Sequence, residues 1–266
     1  MSSPESTPAR GAGIWGVALT IAWRSLHTYV RRPDLFVPSL VFPLVFLASF
    51  AGGLTALGSV PGFHFPAGYT AFQFVFVLCQ SAMFGGLFTG FSLALDFETG
   101  FARRLMLAAE NRRGIALGYA LVGLSRSVIT LSLVTAVALA TGMQITGSGV
   151  DILGLYGLAA LLTLVGYGWA AGVAFRFRSI QAGPLMQTPV FLILFLAPVY
   201  VPLNLLKGWI HDVAAVNPAT AFLEAGRGLI SGVRDETLLA YICALGLIFL
   251  FGIWLLTGLR KAETSA

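Results

Sequence analysis

Charge is scarce in this chain. Of its 266 residues only 10% are Asp, Glu, Lys or Arg, while 57% are hydrophobic; a soluble domain carries about 25% charged residues. So few charges could not cover a water-exposed surface, which excludes an ordinary soluble domain and indicates an integral membrane protein. Cysteine is scarce as well. Cys79 and Cys243 both lie in apolar runs, a pattern typical of buried thiols rather than of a disulfide framework or a metal site.

The motifs of several catalytic classes are also absent. A phosphate-binding loop ends in Gly-Lys-Ser/Thr, but the only lysines, Lys207 and Lys261, are followed by Gly-Trp and Ala-Glu. The stretch GLSRS at 123–127 lacks the second glycine of a nucleophile elbow. The histidines are scattered along the chain, at His27, His64 and His211. We therefore predict that this chain has no catalytic residues, no bound cofactor and no metal site, and that it is not an enzyme by itself.

Long apolar runs dominate what is present. A membrane-spanning helix needs about 20 mostly apolar residues. Uncharged runs of about this length cover residues 35–57, 71–95, 127–145, 152–175, 184–202 and 238–259. The fifth run contains Pro184, Pro189, Pro198 and Pro202, so we expect a kinked or broken helix there. The sequence thus predicts an all-α integral membrane protein with six transmembrane helices, and the lack of acidic residues inside the spans argues against an ion-coupled transporter.

The basic residues are distributed unevenly between the two sides of the predicted spans. One side carries Arg10, Arg24, Arg31, Arg32, Arg103, Arg104, Arg112, Arg113, Arg176, Arg178, Arg260 and Lys261, with Arg126 at the edge of the third span. The other side carries only Lys207, Arg227 and Arg234. Cytoplasmic loops are enriched in Lys and Arg, so we predict that the richer side and both termini are cytoplasmic.

The segment before the first span combines apolar and basic faces. Residues 1–13 are predicted to be a flexible cytoplasmic tail, and residues 260–266 a second one. Helical spacing over residues 14–32 places Ile14, Ala18, Ile21, Ala22 and Tyr29 on one side and Arg24, His27, Thr28 and Arg31 on the other. Trp15 and Trp23 suit the depth of lipid head groups. We interpret residues 14–32 as an amphipathic helix in the membrane interface.

The most charged stretch lies between the second and third predicted spans. Within residues 96–123 it holds Asp96, Glu98, Glu110, Arg103, Arg104, Arg112 and Arg113. Phe97, Phe101, Leu105, Met106 and Leu107 recur at helical spacing, which predicts a basic helix with one apolar face. The periodicity leaves two alternatives open: a helix facing solvent or lipid head groups, and a helix that docks a cytoplasmic partner.

A second polar segment, residues 203–236, precedes the last span on the predicted outer side. Asn217 and Pro218 have the residue types of a helix cap and a first helical position, and Gly232 is the predicted end. Such a helix is only about 21 Å long, so we expect it to lie flat or to be re-entrant. Glu224 and Arg227 can pair at i and i+3, either as a structural ion pair or as a gate or cargo contact.

Taken together, three stretches give the chain a resemblance to the permease subunit of ABC type 2 exporters, with the daunorubicin-resistance (multidrug-resistance-like) branch as the nearest likeness. They are DFETGFARRLML at 96–107, FRFRSIQAGPLMQTPVFLILFLAPVYVPLN at 175–204 and NPATAFLEAGRGLISG at 217–232. The chain differs from the family pattern at 108–111, where a proline often follows the arginine-leucine run.

The resemblance implies roles for three groups of residues. The ATPase-coupling region would comprise Asp96, Glu98, Gly100, Phe101, Arg103, Arg104, Arg112 and Arg113. The second cytoplasmic loop would comprise Arg176, Arg178, Ser179 and Gln181. The outer re-entrant segment would include Asn217, Pro218, Glu224 and Arg227.

The resemblance also implies partners and a location. The chain would assemble with a second permease chain, identical or not, and with two separate ATP-binding subunits that hold ATP and Mg, in a bacterial cytoplasmic (inner) membrane. Uncharged spans and 21 phenylalanines favour a hydrophobic drug, antibiotic or lipid as cargo. The alternatives are a permease for polysaccharide or glycolipid, and a membrane scaffold that binds a cytoplasmic partner without transport. No nucleic-acid partner is expected.

Overall fold

The computed structural model describes residues 13–31, 33–53, 55–108, 111–234 and 237–264, and this part of the chain contains helices but no strands. The helices are α1 Ile14–Arg31, α2 Pro33–Leu47, α3 Gly68–Glu98, α4 Phe101–Ala108, α5 Arg113–Ala140, α6 Gly149–Phe177, α7 Gly183–Phe195, α8 Trp209–Val216, α9 Pro218–Ser231 and α10 Thr237–Thr264. The predicted all-α class is therefore confirmed. The predicted tail 1–13 and the residues Arg10, Arg32 and Glu110 lie largely or wholly outside the described residues.

Four helices in the described part of the chain are long and apolar enough to cross a membrane: Gly68–Glu98, Arg113–Ala140, Gly149–Phe177 and Thr237–Glu263. The predicted spans 35–57 and 184–202 contain shorter helices. After α2 the chain continues as a π-helical turn, Ala48–Gly52, and a 3-10 turn, Thr55–Ser59. Helix α7 ends at Phe195, shortly before Pro198, because proline disrupts the hydrogen bonding of a continuing helix. A total of six spans remains a prediction.

Helices α6 and α10 lie side by side and point in the same direction. Near their first turns the Tyr241 hydroxyl donates to the Gly154 carbonyl at 2.6 Å. Near their last turns Arg176 Nη2 donates to Thr257 Oγ1 at 2.7 Å. The chain between them must therefore return along the full length of α6, which is about 44 Å. This is the path that the predicted fifth span would take.

Helix α3 forms the centre of the bundle, where it packs between α5, α6 and α9. Its glycines permit very close contact with α6. A Cβ atom on Gly86 would lie 2.1 Å from the Thr163 carbonyl oxygen, and one on Gly166 would lie 2.2 Å from the Met83 carbonyl oxygen. The two helices thus approach through backbone on both sides, and side chains of α3 such as Phe76 and Leu87 are buried.

The predicted loop 96–123 is much shorter than expected. Helix α3 continues to Glu98 and α5 already begins at Arg113, so only residues 99–112 connect them, with α4 inside this connection. Hydropathy identifies only the apolar part of a helix, whereas backbone hydrogen bonding carries the helix on through polar residues. For the same reason the position expected for Arg126 was wrong. It is the fourteenth residue of α5, not its edge, and it is only 8% exposed.

Helix α1 has the predicted amphipathic character and packs lengthwise on α5. Ala18, Ile21 and Tyr29 are buried, and a Cβ atom on Gly118 would lie 2.9 Å from Ile21 Cβ, so glycine allows the two helices to approach. A second apolar strip remains outside: Trp15, Leu19 and Trp23 are 61%, 59% and 71% exposed. This strip suits the predicted interfacial position, which remains a prediction.

Candidate functional site

Asp96, on α3, joins this helix to α1 and α5 at the end of the bundle that is predicted to be cytoplasmic. Arg24 Nη2, on α1, donates to Asp96 Oδ2 at 3.0 Å, and the hydroxyl of Tyr119, on α5, donates to the same oxygen. The Arg24 guanidinium also lies 3.7 Å from the centre of the Phe101 ring. Asp96 and Phe101, both assigned by resemblance to ATPase coupling, are therefore engaged within the chain.

Glu98 joins the two connections that the sequence analysis treated as separate loops. Its Oε1 accepts from Ser179 Oγ at 2.7 Å and from the Ile180 N–H at 2.9 Å. This arrangement closes the 3-10 turn Ile180–Ala182, which precedes α7. Arg178 adopts a left-handed backbone, with φ of 53°, and Gln181 is exposed at the same turn. The last turn of α3 is thus tied to the start of α7.

Arg176 and Arg178 connect this region to the last helix. Arg176 Nη1 donates to the carbonyls of Gly172 and Trp254 at 2.7 and 2.8 Å, and its guanidinium lies 3.4 Å from the Trp254 ring centre. Arg178 Nη2 donates to the Ala262 carbonyl at 3.2 Å. These arginines therefore fix α10 against α6, rather than standing free in a loop.

The exposed cations of the coupling region lie on and beside α4. Gly100, with φ of +74°, makes the turn from α3 into α4, a conformation that glycine adopts without strain. Arg112 Nε donates to the Met106 carbonyl at 3.1 Å and so closes the end of α4. Arg103, Arg104 and Arg113 are exposed. We call these three arginines the basic face.

The outer segment is anchored by Asn217 and Arg227. Asn217 caps α9 by accepting from the Ala219 N–H at 2.9 Å, and its Nδ2 donates to the Ile193 carbonyl, in α7, at 2.7 Å. Pro218 occupies the first position of α9. The predicted cap is thus present, and it also holds the outer helix against α7.

Arg227 is buried, with 2% exposure. It donates to Glu224 Oε1 at 2.8 Å and to the Pro198 carbonyl at 2.8 Å, and its guanidinium lies 3.4 Å from the Phe72 ring centre. Burial lowers the pKa of Arg227 to about 10, an effect that the Glu224 carboxylate opposes, so Arg227 stays charged at neutral pH. Glu224 also borders an outer cavity of about 710 Å³.

A cavity of about 580 Å³ lies between α1, α2, α3, α5 and the start of α7. Its polar side chains include Arg126, which donates from Nη1 to Ser92 Oγ at 3.1 Å, and Gln80, which is 1% exposed. This site was not predicted from the sequence. The available signals were an arginine between two apolar runs and a glutamine in the middle of the second predicted span.

The sequence matches a known family of transport proteins. Residues 17–230 match the family model described as ABC-2 type transporter. The chain is 23% identical over 239 residues to the daunorubicin resistance ABC transporter permease protein DrrB1 of Streptomyces coeruleorubidus, covering 86% of this chain and 80% of that protein.

Two further relatives come from algae. The chain is 27% identical over 208 residues to the putative transport permease ycf38 of Pyropia yezoensis, covering 77% and 70% of the two chains. It is 26% identical over 205 residues to the protein of the same name from Porphyra purpurea, covering 76% and 69%. The resemblance proposed from the sequence is confirmed: this chain belongs to the ABC-2 type transporter family, a family of transporter permeases rather than of enzymes.

Proposed function

We propose that this chain is the membrane-spanning subunit of an ATP-driven exporter for a hydrophobic drug, antibiotic or lipid. Two separate ATP-binding subunits bind ATP and Mg, and a second permease chain completes the pathway, in a bacterial cytoplasmic membrane with both termini inside. Membership of a permease family and the lack of a phosphate-binding loop in the sequence both favour an energy source on another chain.

The observation that carries this proposal is the basic face. Of the acids in this region that the structure describes, Asp96 contacts Arg24 and Glu98 contacts Ser179, whereas Arg103, Arg104 and Arg113 give the exposed surface a positive charge. Helix α4 buries Ala102 and Met106 and leaves Leu107 67% exposed. An exposed leucine beside arginines suits a protein partner, since desolvated apolar contacts supply much of the binding energy at protein interfaces.

The internal contacts provide a route from the basic face to the helices around the cavity. Helix α4 follows α3 through the single turn at Gly100. At the last turn of α3, Asp96 contacts α1 and α5 while Glu98 contacts the turn before α7. A partner that shifts α4 would therefore act on α1, α5 and α7 together.

The experiment co-expresses the chain with the ATP-binding protein encoded beside it and measures co-purification and ATP hydrolysis in lipid nanodiscs. We expect the double variant Arg103→Glu/Arg104→Glu to lose the complex, or to lose cargo-stimulated hydrolysis, because it reverses the charge of the basic face. Lys207→Glu is the matched control, since Lys207 is exposed in the predicted outer segment.

Two results would contradict the proposal. One is that no ATP-binding protein co-purifies with the native chain. The other is a double variant that binds the ATPase and stimulates it as well as the native chain does. If the double variant keeps the ATPase complex but loses binding to anionic vesicles, the basic face would instead be assigned to lipid head groups.

A further inference from the structure

Arg126 is a buried cation that lacks an ion pair in the described part of the chain. Its residue is only 8% exposed, and it forms no ion pair with any side chain that the structure describes. Its Nη1 donates to Ser92 Oγ, and its guanidinium lies 4.6 Å from the centre of the Tyr29 ring. Among the described residues, Nε has no hydrogen-bond partner. An uncompensated buried charge is costly, and within a membrane domain such a residue marks a functional site.

Gln80 contributes two polar side-chain atoms to the lining of the same cavity. Both its Nε2 and its Oε1 are buried and have no hydrogen-bond partner in the described part of the chain. The Ser25 hydroxyl, which also lines the cavity, is unpaired as well. Native structures satisfy the large majority of buried polar groups, so each exception needs a reason, such as a ligand.

The rest of the cavity lining is largely aromatic, and the cavity is elongated. Phe84, Phe88 and Phe91 follow one side of α3, and Phe42 faces them from α2; the ring centres of Phe42 and Phe84 are 5.7 Å apart. Along α3 the lining runs from Gln80 to Asp96, a distance of about 24 Å. A volume of 580 Å³ falls in the range of sites for drug-sized ligands.

The charges around the cavity favour an anion. Asp96 lines it too, but this carboxylate accepts from Arg24 and from Tyr119 and so is already compensated. The Asp96 carboxylate also attracts Arg126, but the described lining holds two guanidinium groups, those of Arg24 and Arg126, against this one carboxylate. The net positive charge disfavours a cationic ligand, whereas a carboxylate or phosphate could accept hydrogen bonds from the Arg126 guanidinium.

We propose that this cavity binds an anionic amphiphile, with its carboxylate or phosphate head on Arg126 and Gln80 and its apolar body along Phe42, Phe84, Phe88 and Phe91. As a statement about binding, the inference stands on the cavity alone. As a statement about cargo it rests on the proposed function, and it narrows the hydrophobic drug, antibiotic or lipid to a molecule with an acidic head.

The test is photolabelling of the purified full chain, without any ATP-binding protein, in phosphatidylcholine nanodiscs. The probe is a long-chain fatty acid with a diazirine at mid-chain. Its methyl ester and the amine of equal length are the matched uncharged and cationic probes. Specific labelling is the part that excess unlabelled fatty acid displaces, and mass spectrometry maps its position in the chain. We expect the acid, but neither the ester nor the amine, to label the peptide that contains Phe84 and Phe88.

Variants locate the head group. Arg126→Gln should weaken labelling by the acid by about tenfold or more, because a charge-assisted hydrogen bond is lost, and Arg126→Lys should retain part of it. Arg260→Gln is the matched control, since Arg260 is exposed near the end of α10. Gln80→Leu keeps the test decisive if Arg126→Gln does not fold. It removes two unpaired buried atoms, so thermal stability should hold or rise while labelling by the acid weakens.

The outcomes separate clearly. Any of three results would overturn the proposal: equal labelling by the amine and the acid, unchanged labelling by the acid in Gln80→Leu and in folded Arg126→Gln, or labelling confined to other peptides. Displacement by added phosphatidylglycerol would identify a bilayer lipid as the source of the head group, and its failure to displace would identify a free amphiphile. Because no ATPase is present, labelling succeeds or fails independently of the docking of the ATP-binding subunit.

Discussion

Asp96 and Glu98 stand two residues apart, but their side chains hold different elements together. Asp96 joins α1, α3 and α5 through Arg24 and Tyr119, whereas Glu98 joins α3 to the turn before α7. The resemblance groups both acids with the arginines that follow, as contacts for an ATPase. Their contacts in this chain favour a structural role for the acids and leave the basic face for a partner.

This division predicts that Asp96→Ala destabilises the chain even when no partner is present. The change removes the ion pair with Arg24 and leaves the Tyr119 hydroxyl, on a side chain that is 1% exposed, without its acceptor. We expect a loss of about 1–3 kcal/mol in the free energy of unfolding, measured by thermal denaturation of the purified chain in nanodiscs.

Asp212→Ala is the matched control for Asp96→Ala, because the Asp212 side chain is 84% exposed and surface ion pairs contribute little. Equal stability of the two variants would contradict the structural role of Asp96. A loss of ATPase affinity without any loss of stability would return Asp96 to the docking surface.

The bundle depends on how closely α3 and α6 approach. Gly86 and Gly166 place backbone against backbone, so that added Cβ atoms would lie 2.1 and 2.2 Å from the facing carbonyl oxygens. Gly168 and Gly172 of α6 instead make room for the side chains of Phe251 and Trp254 of α10. Small residues at helix interfaces are a common route to tight packing in membranes, and here they set the distance of α6 from α3, a helix that lines the cavity.

We predict that Gly86→Ala destabilises the fold by at least about 2 kcal/mol, because overpacking forces two long helices apart. Gly246→Ala is the control: it is also within a helix, but a Cβ atom there meets nothing within 4 Å. That change should be neutral, or should stabilise the chain by up to about 1 kcal/mol through helix propensity. Thermal unfolding of both variants in nanodiscs measures the two changes in stability. Equal changes in the two variants would contradict the close packing of α3 on α6.

At the scale of the whole molecule, α6 and α10 run parallel. Arg234 Nε lies 2.6 Å from Asp151 Oδ1 at one end, and Arg178 donates to Ala262 at the other. The amides of Thr146 and Gly147 donate to the Ile230 carbonyl, so the outer helix α9 and the connection before α6 lie at the same end. Two parallel helices in succession require the intervening chain to cross back, which adds the predicted fifth span to the four long apolar helices.

Cysteine labelling tests this topology in a Cys79→Ala/Cys243→Ala background. Six spans place Lys207 and His64 on the outer side and Gln181 on the cytoplasmic side, and all three residues are exposed. An impermeant maleimide added to intact cells should therefore react with Lys207→Cys and His64→Cys but not with Gln181→Cys. If Lys207→Cys, like Gln181→Cys, reacts only after the membrane is opened, then α7 does not cross the membrane.

Some of the site could be predicted from local sequence and some could not. Asn217 and Pro218 occur at the start of α9 as predicted, and Glu224 pairs with Arg227 at i and i+3, because both features depend on residues within one helical turn. The contacts of Asp96 with Arg24 and Tyr119, and of Glu98 with Ser179, join residues far apart in the chain. One sequence gives no local signal for such pairs.

The sequence by itself determined the class of this protein. Scarce charge and long apolar runs indicate a helical membrane protein, because composition and local spacing decide how a chain partitions between water and lipid. The tertiary structure decided which polar groups are satisfied. The packing of α1, α3 and α5 compensates Arg24 with Asp96. In the described part of the chain it leaves Arg126 without an ion pair, and the Gln80 side chain without a hydrogen-bond partner, beside a cavity, because burial and partnership depend on helices brought together from distant parts of the chain.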